Sequence, residues 1–141
     1  MPIHQFTTRR RIEFADTDMG GIVHFSRFFA FMETAEHELL ASIGAPVHFE
    51  IDGREVAWPR VAASCDYRSP ARFGDELIIT VRVVRKGTRS MTWGFDIRAG
   101  ERAVATGRVT SVCCVMAAGG LESMPIPDVI AAELEEAPPQ G

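Results

Sequence analysis

The stretch RRRIEFADTDMGGIVHFSRFF, residues 9–29, decides the fold of this 141-residue chain. It begins with alternating residues, which predict a β-strand over residues 7–14. It ends with apolar residues spaced three and four apart, which predict a long helix over residues 23–43. Between the two lie Asp16, Asp18 and a pair of glycines. Whether these carboxylates only cap the helix or take part in chemistry is the main question that the stretch raises.

The rest of the chain predicts more strands after the helix. Gly44 and Pro46 predict the end of the helix, as a C′ glycine and a following proline do. A loop over residues 44–58 then leads into segments rich in alternating or β-branched residues and separated by short turns. These strands are predicted over residues 61–68, 77–84, 91–98 and 103–116, with a bulge at Gly107, and are followed by a short helix over 128–137 and a frayed tail at 136–141.

This order of elements predicts a single α+β domain over residues 1–141. Short turns between successive strands indicate an antiparallel sheet. A single long helix has to bury its apolar stripe on that sheet. The predicted fold is therefore an antiparallel five-stranded sheet wrapped around one long central helix. Because such a sheet has open edges, we expect a homodimer, or a tetramer built from dimers.

Composition excludes several classes of protein. The net charge of −4 argues against nucleic acid as a partner, since such proteins usually carry a basic face. No apolar run approaches the roughly 18 residues of a membrane span, and the N-terminus lacks the apolar run of a signal peptide. Cys65, Cys113 and Cys114 have no zinc-binding spacing and are expected to be small buried residues in a reducing compartment. We therefore expect a cytoplasmic protein.

Asp18 allows a structural and a chemical interpretation. As a structural residue it would cap the helix or lie near the positive end of its dipole. As a chemical residue it would lie beside free N–H groups that can stabilise negative charge on a carbonyl oxygen. It could then attack the carbonyl carbon or activate a water molecule. Asp16 is expected to brace the loop, and no metal site is predicted because a third carboxylate is missing nearby.

The run IEFADTDMGGIVHFSRFF, residues 12–29, resembles the active-site signature of the 4-hydroxybenzoyl-CoA thioesterase family within the hotdog-fold superfamily. SPARFGDEL, residues 69–77, and VVRKGTRSMTWGFDI, residues 83–97, resemble that family's loop into the third strand and its central hairpin. The resemblance implies a hotdog fold, paired subunits with active sites at their interface, and acyl-CoA thioesterase activity. Coenzyme A would be part of the substrate, so no cofactor is expected.

The resemblance also implies roles for individual residues. Asp18 would be the catalytic carboxylate, acting as nucleophile or general base. The backbone N–H of Phe25 would polarise the thioester carbonyl. His24 is displaced by one position from a histidine that is frequent in related thioesterases, so a catalytic, an orienting and an exposed imidazole stay open.

Substrate contacts are predicted on two parts of the chain. The acyl group would lie against residues at the start of the helix, namely Gly21, Ile22, Val23, Phe28 and Phe29. Phosphates of coenzyme A favour arginine and lysine, and Arg85, Lys86 and Arg89 cluster around the turn at Gly87. The resembled family binds the nucleotide near this turn, which implies Lys86 and Arg89 as the contacts. Arg60, Arg68 and Arg72 are weaker candidates.

Two other functions stay open at this stage. A hotdog dehydratase or hydratase would need an acid–base pair such as His24 with Glu33 or Glu36. Residues 24 and 33 are nine apart, or about 2.5 helical turns, and would face in different directions. A non-enzymatic acyl-CoA-binding protein would bind the thioester without releasing a free thiol, and thiol release therefore separates the predicted activity from both alternatives.

Overall fold

The computed structural model describes residues 1–140, which form nine strands and two helices. The elements are β1 (Gln5–Arg11), a 3₁₀ turn (Phe14–Asp16), α1 (Arg27–Ser42), β2 (Glu50–Ile51), β3 (Arg54–Ala57), β4 (Arg60–Tyr67), β5 (Glu76–Lys86), β6 (Ser90–Ala99), β7 (Arg102–Val112), β8 (Cys114–Ala117), β9 (Gly120–Ser123) and α2 (Asp128–Ala131). No helix among these residues is long and apolar enough to cross a bilayer.

The main sheet has five antiparallel strands in the order β1-β5-β6-β7-β4. These are the five strands that the sequence predicts, and their antiparallel pairing is confirmed. A second antiparallel sheet, in the order β2-β3-β8-β9, was not predicted. Its strands have two to four residues each, too short for an alternating pattern to reveal them. The fold is therefore α+β, with two sheets and one long helix.

Helix α1 buries its apolar side against the main sheet. Its residues Phe31, Met32, Ala35 and Leu39 are fully buried, as are Leu77, Val81, Val83 and Met91 of the sheet. Phe31 falls on the polar side of the predicted helix, yet it is buried beneath the Arg10 guanidinium, whose carbon lies 4.7 Å from the ring centroid. Contacts on two sides thus remove most of the helix from solvent.

Gly107 of β7 packs against the Met32 side chain of α1. A Cβ atom there would lie 2.6 Å from Sδ of Met32 and 3.2 Å from the Ser64 carbonyl oxygen. Strand pairing stays in register through Gly107, so the predicted bulge at this position is wrong. A side chain here would have to displace the Met32 thioether and would crowd the Ser64 carbonyl, so glycine fits without a shift of its neighbours.

Several predicted boundaries are corrected. Helix α1 begins at Arg27 rather than at residue 23, because the preceding residues bond to other segments: the Val23 N–H donates to the Ala71 carbonyl and the His24 N–H to the Asp16 carbonyl. Strand β1 ends at Arg11, before the predicted residue 14. The long last strand is divided at Cys113, whose N–H donates to the Arg89 carbonyl. Helix α2 ends at residue 131, earlier than predicted.

The three cysteines are free thiols in the structure. Cys113 and Cys114 are buried and Cys65 is partly exposed. Burial raises the pKa of the Cys113 thiol to about 11, with a smaller contribution from Cys114. Cys113 therefore stays protonated at neutral pH and acts as a small apolar side chain, since only the thiolate is a strong nucleophile.

Candidate active site

Asp18 lies on a tight turn ahead of the helix. Its N–H donates to the Ile22 carbonyl at 2.9 Å, and its own carbonyl accepts from the Gly21 N–H at 3.0 Å. Its Oδ1 accepts a 2.8 Å hydrogen bond from the Gly20 N–H. Gly21 has a φ of +79°, a conformation that glycine adopts without strain. The turn leaves the Asp18 side chain exposed.

Asp18 is not the helix N-cap, which was one of the two structural roles considered for it. The N-cap of α1 is Ser26, and the helix begins at Arg27. The Asp18 carboxylate caps only its own turn, through Gly20. Because one of its oxygens has no protein partner among residues 1–140, the carboxylate can still accept a proton or attack a substrate.

Asp16 has the bracing geometry that the sequence predicts. It is 1% exposed, and its Oδ2 accepts a 2.8 Å bond from the Glu13 N–H. Its Oδ1 accepts from Nε of Arg27 at 3.0 Å and lies 3.8 Å from a nitrogen of Arg10. The carboxylate thus joins β1, the 3₁₀ turn and the first residue of α1. With Asp16 directed into these contacts, the two aspartates do not share a cation site.

The Phe25 N–H is available as a hydrogen-bond donor. Phe25 lies two residues before the first residue of α1, in the turn that leads into the helix. Among the described residues its N–H takes part in no backbone hydrogen bond, while its carbonyl accepts a 2.9 Å bond from the Tyr67 hydroxyl. An unpaired N–H at this end of a helix is suited to a carbonyl oxygen that gains negative charge.

Asp18 and Phe25 line the same cleft, of about 450 Å³, which we call the Asp18 cleft. This volume lies within the range of small-molecule sites. The cleft is lined by Asp18, Ile22, Val23, Phe25, Phe28, Tyr67, Arg68, Ser69, Pro70 and Ala71. The predicted residues Ile22, Val23 and Phe28 are among them, and Gly21 lies on the adjoining turn. Phe29 does not line this cleft.

Apart from Arg68, which was predicted only as a weaker phosphate contact, residues 67–71 of the cleft were missed by the sequence reasoning. They are the last residue of β4 and the four residues after it, and they meet the Asp18 turn because the Val23 N–H bonds to the Ala71 carbonyl and Ile22 forms a bridge with Arg72. The local signals, the Ser69-Pro70 turn and the resemblance of residues 69–77 to a family loop, reveal a loop but not its partner. Tyr67 is the most consequential omission, because its hydroxyl contacts the backbone of Phe25.

His24 points its imidazole at the helix cap. Its Nδ1 lies 2.8 Å from Oγ of Ser26 and accepts a longer bond, 3.3 Å, from the Ser26 N–H. The ring stacks on Phe25 with centroids 4.8 Å apart. The structure does not place His24 among the residues that line the Asp18 cleft. A catalytic role for His24 stays a prediction, and the observed contacts are those of an orienting side chain.

Lys86 and Arg89 lie far from the Asp18 cleft within one protomer. They flank the β5–β6 turn, whereas the cleft adjoins the opposite end of β5, roughly 33 Å away over ten strand residues. The Lys86 Nζ donates to the carbonyls of Ala131 and Leu134, at 3.0 and 2.8 Å. Through these bonds the Lys86 side chain ties β5 to the C-terminal segment, and its contact with a phosphate stays a prediction. A phosphate contact of Arg89 stays a prediction.

Two of the weaker basic candidates lie beside the cleft. Arg68 lines it and is exposed. A nitrogen of Arg72 lies 3.9 Å from where a Cβ on Gly21 would be. Neither guanidinium forms an ion pair within residues 1–140. Both are therefore free to bind an anionic ligand that enters the cleft.

Glu33 and Glu36 belong to a separate polar cluster on the other side of α1. Arg60, the first residue of β4, lies 2.7 Å from Oε2 of Glu36 and 3.3 Å from Oε2 of Glu33. Arg60 also donates to Ser111 at 2.7 Å. Since Glu33 and Glu36 bond to Arg60 while His24 bonds to Ser26, these groups do not form the acid–base pair of a dehydratase. No group of three potential metal ligands occurs within residues 1–140.

Comparisons with known proteins agree with this geometry. Residues 20–111 match the family model of the Thioesterase superfamily. A 1,4-dihydroxy-2-naphthoyl-CoA hydrolase of Synechococcus sp. (strain CC9605) is 32% identical over 103 residues, 70% of this chain and 69% of the relative.

Two solved structures extend the likeness to the fold. The crystal structure of a 1,4-dihydroxy-2-naphthoyl-CoA thioesterase from Synechocystis has a TM-score of 0.83 at 25% identity, covering 92% of this chain and 95% of the other. The structure of a gentisyl-coenzyme A thioesterase has a TM-score of 0.82 at 25% identity, covering 92% of this chain and 100% of the other.

Proposed function

The chain belongs to the thioesterase superfamily, and from that premise we propose that it hydrolyses an acyl-CoA whose acyl group is aromatic. The observation that carries the proposal is the Asp18 cleft, in which an exposed carboxylate and an unbonded backbone N–H line one cavity. A thioester needs these two groups together. The N–H stabilises negative charge on the carbonyl oxygen, while the carboxylate attacks the carbonyl carbon or activates the water that does so.

The proposed reaction uses few groups. The thioester oxygen accepts a hydrogen bond from the Phe25 N–H, and Asp18 either attacks the carbonyl carbon or takes a proton from an attacking water. The C–S bond then breaks and the thiolate of coenzyme A leaves. Because a thiol has a pKa near ~8.5, its departure needs little help from a general acid. With Asp18 as nucleophile, water hydrolyses the resulting anhydride in a second step.

The cleft and the relatives together support an aromatic acyl group. Apolar side chains of Ile22, Val23, Phe28 and Tyr67 form much of the cleft wall. Relatives are named for 1,4-dihydroxy-2-naphthoyl-CoA, and a solved neighbour for gentisyl-coenzyme A; both acyl groups are hydroxylated aromatic rings. Membership of the narrower 4-hydroxybenzoyl-CoA thioesterase family is part of this proposal, since it rests on the signature over residues 12–29.

The nucleotide end of the substrate requires basic side chains. We assign the phosphates to Arg68 and Arg72, which flank the cleft and whose guanidinium groups form no ion pair within residues 1–140. A neighbouring subunit could add its own residues, because the predicted dimer places active sites at the interface. Arg89 would then act on the partner's cleft rather than on its own.

The test is thiol release from a panel of acyl-CoA thioesters, aromatic and aliphatic, with variants of both aspartates. Asp18→Asn keeps the size of the side chain and its bond to Gly20 but is neither a nucleophile nor a base. We expect kcat to fall by at least ~100-fold with KM little changed.

Asp16→Asn is the matched control. It should lower the free energy of unfolding by about 2 kcal/mol, because buried bonds to the charged groups of Arg27 and Arg10 weaken. Its effect on kcat should be much smaller than that of Asp18→Asn. Equal and small effects of both changes, or no thiol release from any acyl-CoA by the wild-type protein, would contradict the proposal.

A further inference from the structure

The carbonyl of Phe25 is bound by a side chain from a distant strand. The Tyr67 hydroxyl donates to it at 2.9 Å across 42 residues of sequence. We infer that Tyr67 is a positioning residue, whose hydroxyl holds the Phe25 backbone so that the Phe25 N–H is directed at the thioester oxygen. This inference rests on the function proposed above and adds a residue to it.

The Phe25 backbone has few other restraints. On its upstream side the neighbouring residue His24 is anchored, since its N–H donates to the Asp16 carbonyl and its carbonyl accepts from the Arg27 N–H, both at 2.9 Å. The Phe25 side chain is 64% exposed, so core packing does not hold it. Within residues 1–140, the bond from the Tyr67 hydroxyl is the only hydrogen bond that the Phe25 backbone makes. The bond from the Arg27 N–H to the His24 carbonyl closes a turn around Phe25, so losing the Tyr67 bond would let the Phe25 peptide shift within that turn.

Tyr67 is held firmly enough to act as a fixed point. It is the last residue of β4 and pairs with Ala105 of β7 in the main sheet. Its ring packs edge-on against Phe28, with centroids 5.4 Å apart, and Phe28 belongs to the buried core. The hydroxyl therefore projects from a rigid strand, across the cleft that its ring lines, to the loop at the helix start.

The expected size of the effect follows from what the hydroxyl does. Removing a hydrogen-bond donor that contacts the oxyanion lowers kcat by about 10²–10³-fold. Tyr67 contacts no reacting atom in this arrangement, so removing its hydroxyl should lower kcat by less. Small misplacements of a reacting group still slow catalysis substantially. We expect about a 10-fold decrease in kcat when the hydroxyl is removed. KM should change by less than about 2-fold, because the Phe25 N–H interacts more strongly with the transition state than with the substrate.

Tyr67→Phe removes the hydroxyl and keeps the ring that packs on Phe28 and lines the cleft. The matched control is Thr80→Val, which removes the exposed hydroxyl that lies 3.1 Å from Thr7 on the β1–β5 pair. We expect Tyr67→Phe to lower kcat with little change in KM, and Thr80→Val to leave both constants unchanged. A change in KM alone would make Tyr67 only part of the cleft wall and would overturn the inference.

A second measurement reports on the carbonyl directly. A ketone analogue of the acyl-CoA, with CH₂ in place of sulfur and a ¹³C-labelled carbonyl, binds without being hydrolysed. Its infrared C=O stretch should shift to lower frequency on the wild-type protein and return towards the solution value on Tyr67→Phe. Equal frequencies and equal kcat would overturn the positioning role while leaving the proposed hydrolysis intact. Absence of thiol release by the wild-type protein would overturn both.

Discussion

Asp16 and Asp18 are the same amino acid two positions apart, and their surroundings give them opposite roles. Asp16 is 1% exposed and bonded to Arg27 and to the Glu13 N–H. The Asp18 side chain is exposed and, among residues 1–140, accepts a hydrogen bond only from the Gly20 N–H of its own turn. A carboxylate saturated by protein donors stabilises the loop, whereas one that keeps free lone pairs can react.

The free guanidinium groups of Arg68 and Arg72 lead to a prediction about the nucleotide part of the substrate. The double variant Arg68→Ala plus Arg72→Ala should raise KM for an acyl-CoA by about 100-fold or more and leave kcat near wild type. Phosphate contacts are worth roughly 1.5–3 kcal/mol each and are the same in ground and transition states. Steady-state kinetics of thiol release measure both constants.

Two controls show whether the contact is with phosphate. The acyl thioester of N-acetylcysteamine has no nucleotide, so the Arg68 and Arg72 changes should leave its kinetics unaffected. Arg89 lies in the β5–β6 turn, far from the cleft of its own protomer. Arg89→Ala should therefore not alter KM if the phosphates are bound by residues of the protomer whose cleft holds the acyl group. A rise in KM for Arg89→Ala, without one for Arg68 and Arg72, would instead assign the phosphates to the partner's β5–β6 turn.

At the scale of elements, an ion pair joins α1 to the edge strand β4. Burial raises the pKa of the Glu36 carboxyl, while the nearby Arg60 guanidinium partly offsets that rise. One oxygen of Glu36, Oε1, has no hydrogen-bond partner within the described chain. The ionised carboxylate therefore depends on Arg60 for its stability in this place.

Arg60→Met should destabilise the fold in a pH-dependent way. At pH 7 it leaves a buried carboxylate uncompensated, which should cost about 3 kcal/mol of unfolding free energy. A carboxyl group whose pKa is higher in the folded than in the unfolded protein stabilises the fold at pH values below its unfolded-state pKa. This stabilisation is lost as the pH rises through the folded-state pKa. Without Arg60 the pKa of Glu36 rises further, so the variant should lose less stability at pH 5 than at pH 7.

Urea denaturation at both pH values measures this effect. Arg9→Met is the control, because Arg9 and Glu76 form an equally short ion pair of 2.7 Å in which both side chains are more than half exposed. Such surface pairs contribute little, so the control should change stability by less than about 1 kcal/mol at either pH. A pH-independent loss in Arg60→Met would mean that packing, rather than charge, is the main role of Arg60.

At the scale of the whole molecule, the two edges of the main sheet differ in chemistry. Edge strand β1 is QFTTRRR, with three consecutive arginines, whereas edge strand β4 is RVAASCDY, with an uncharged centre. Charged residues on an edge strand oppose pairing with another strand. Strand β4, whose residues 61–64 are all exposed, is therefore the edge expected to pair with a second copy.

We predict a dimer, or a tetramer built from two such dimers, at micromolar concentration by light scattering. Ala63→Lys places a charge at the centre of β4 and should shift the protein towards monomer, whereas Thr7→Lys on β1 should not. Thiol-release activity should fall together with the dimer. A wild-type monomer that remains active would contradict the prediction that the active site lies at an interface.

The sequence by itself determined the five main strands and the long helix, because each is encoded in neighbouring residues. Alternation and the three–four spacing reveal these elements, whereas the roles of Asp18 and the Phe25 N–H were predicted from the resemblance of residues 12–29 to a thioesterase signature and stay predictions. The sequence fails where the end of an element depends on hydrogen bonds to a distant segment. Helix α1 begins at Arg27 because the N–H groups of residues 23 and 24 bond to the carbonyls of Ala71 and Asp16.

Only the tertiary structure decided which polar side chains already form hydrogen bonds or ion pairs within the protein. Lys86 looks like a free cation in the sequence, yet its ammonium binds carbonyls 45 and 48 residues away. Glu36 looks like a surface residue of the helix, yet it is 1% exposed against Arg60. Tyr67 reaches Phe25 across 42 residues. Such contacts depend on how distant elements pack, and local sequence patterns carry no record of that packing.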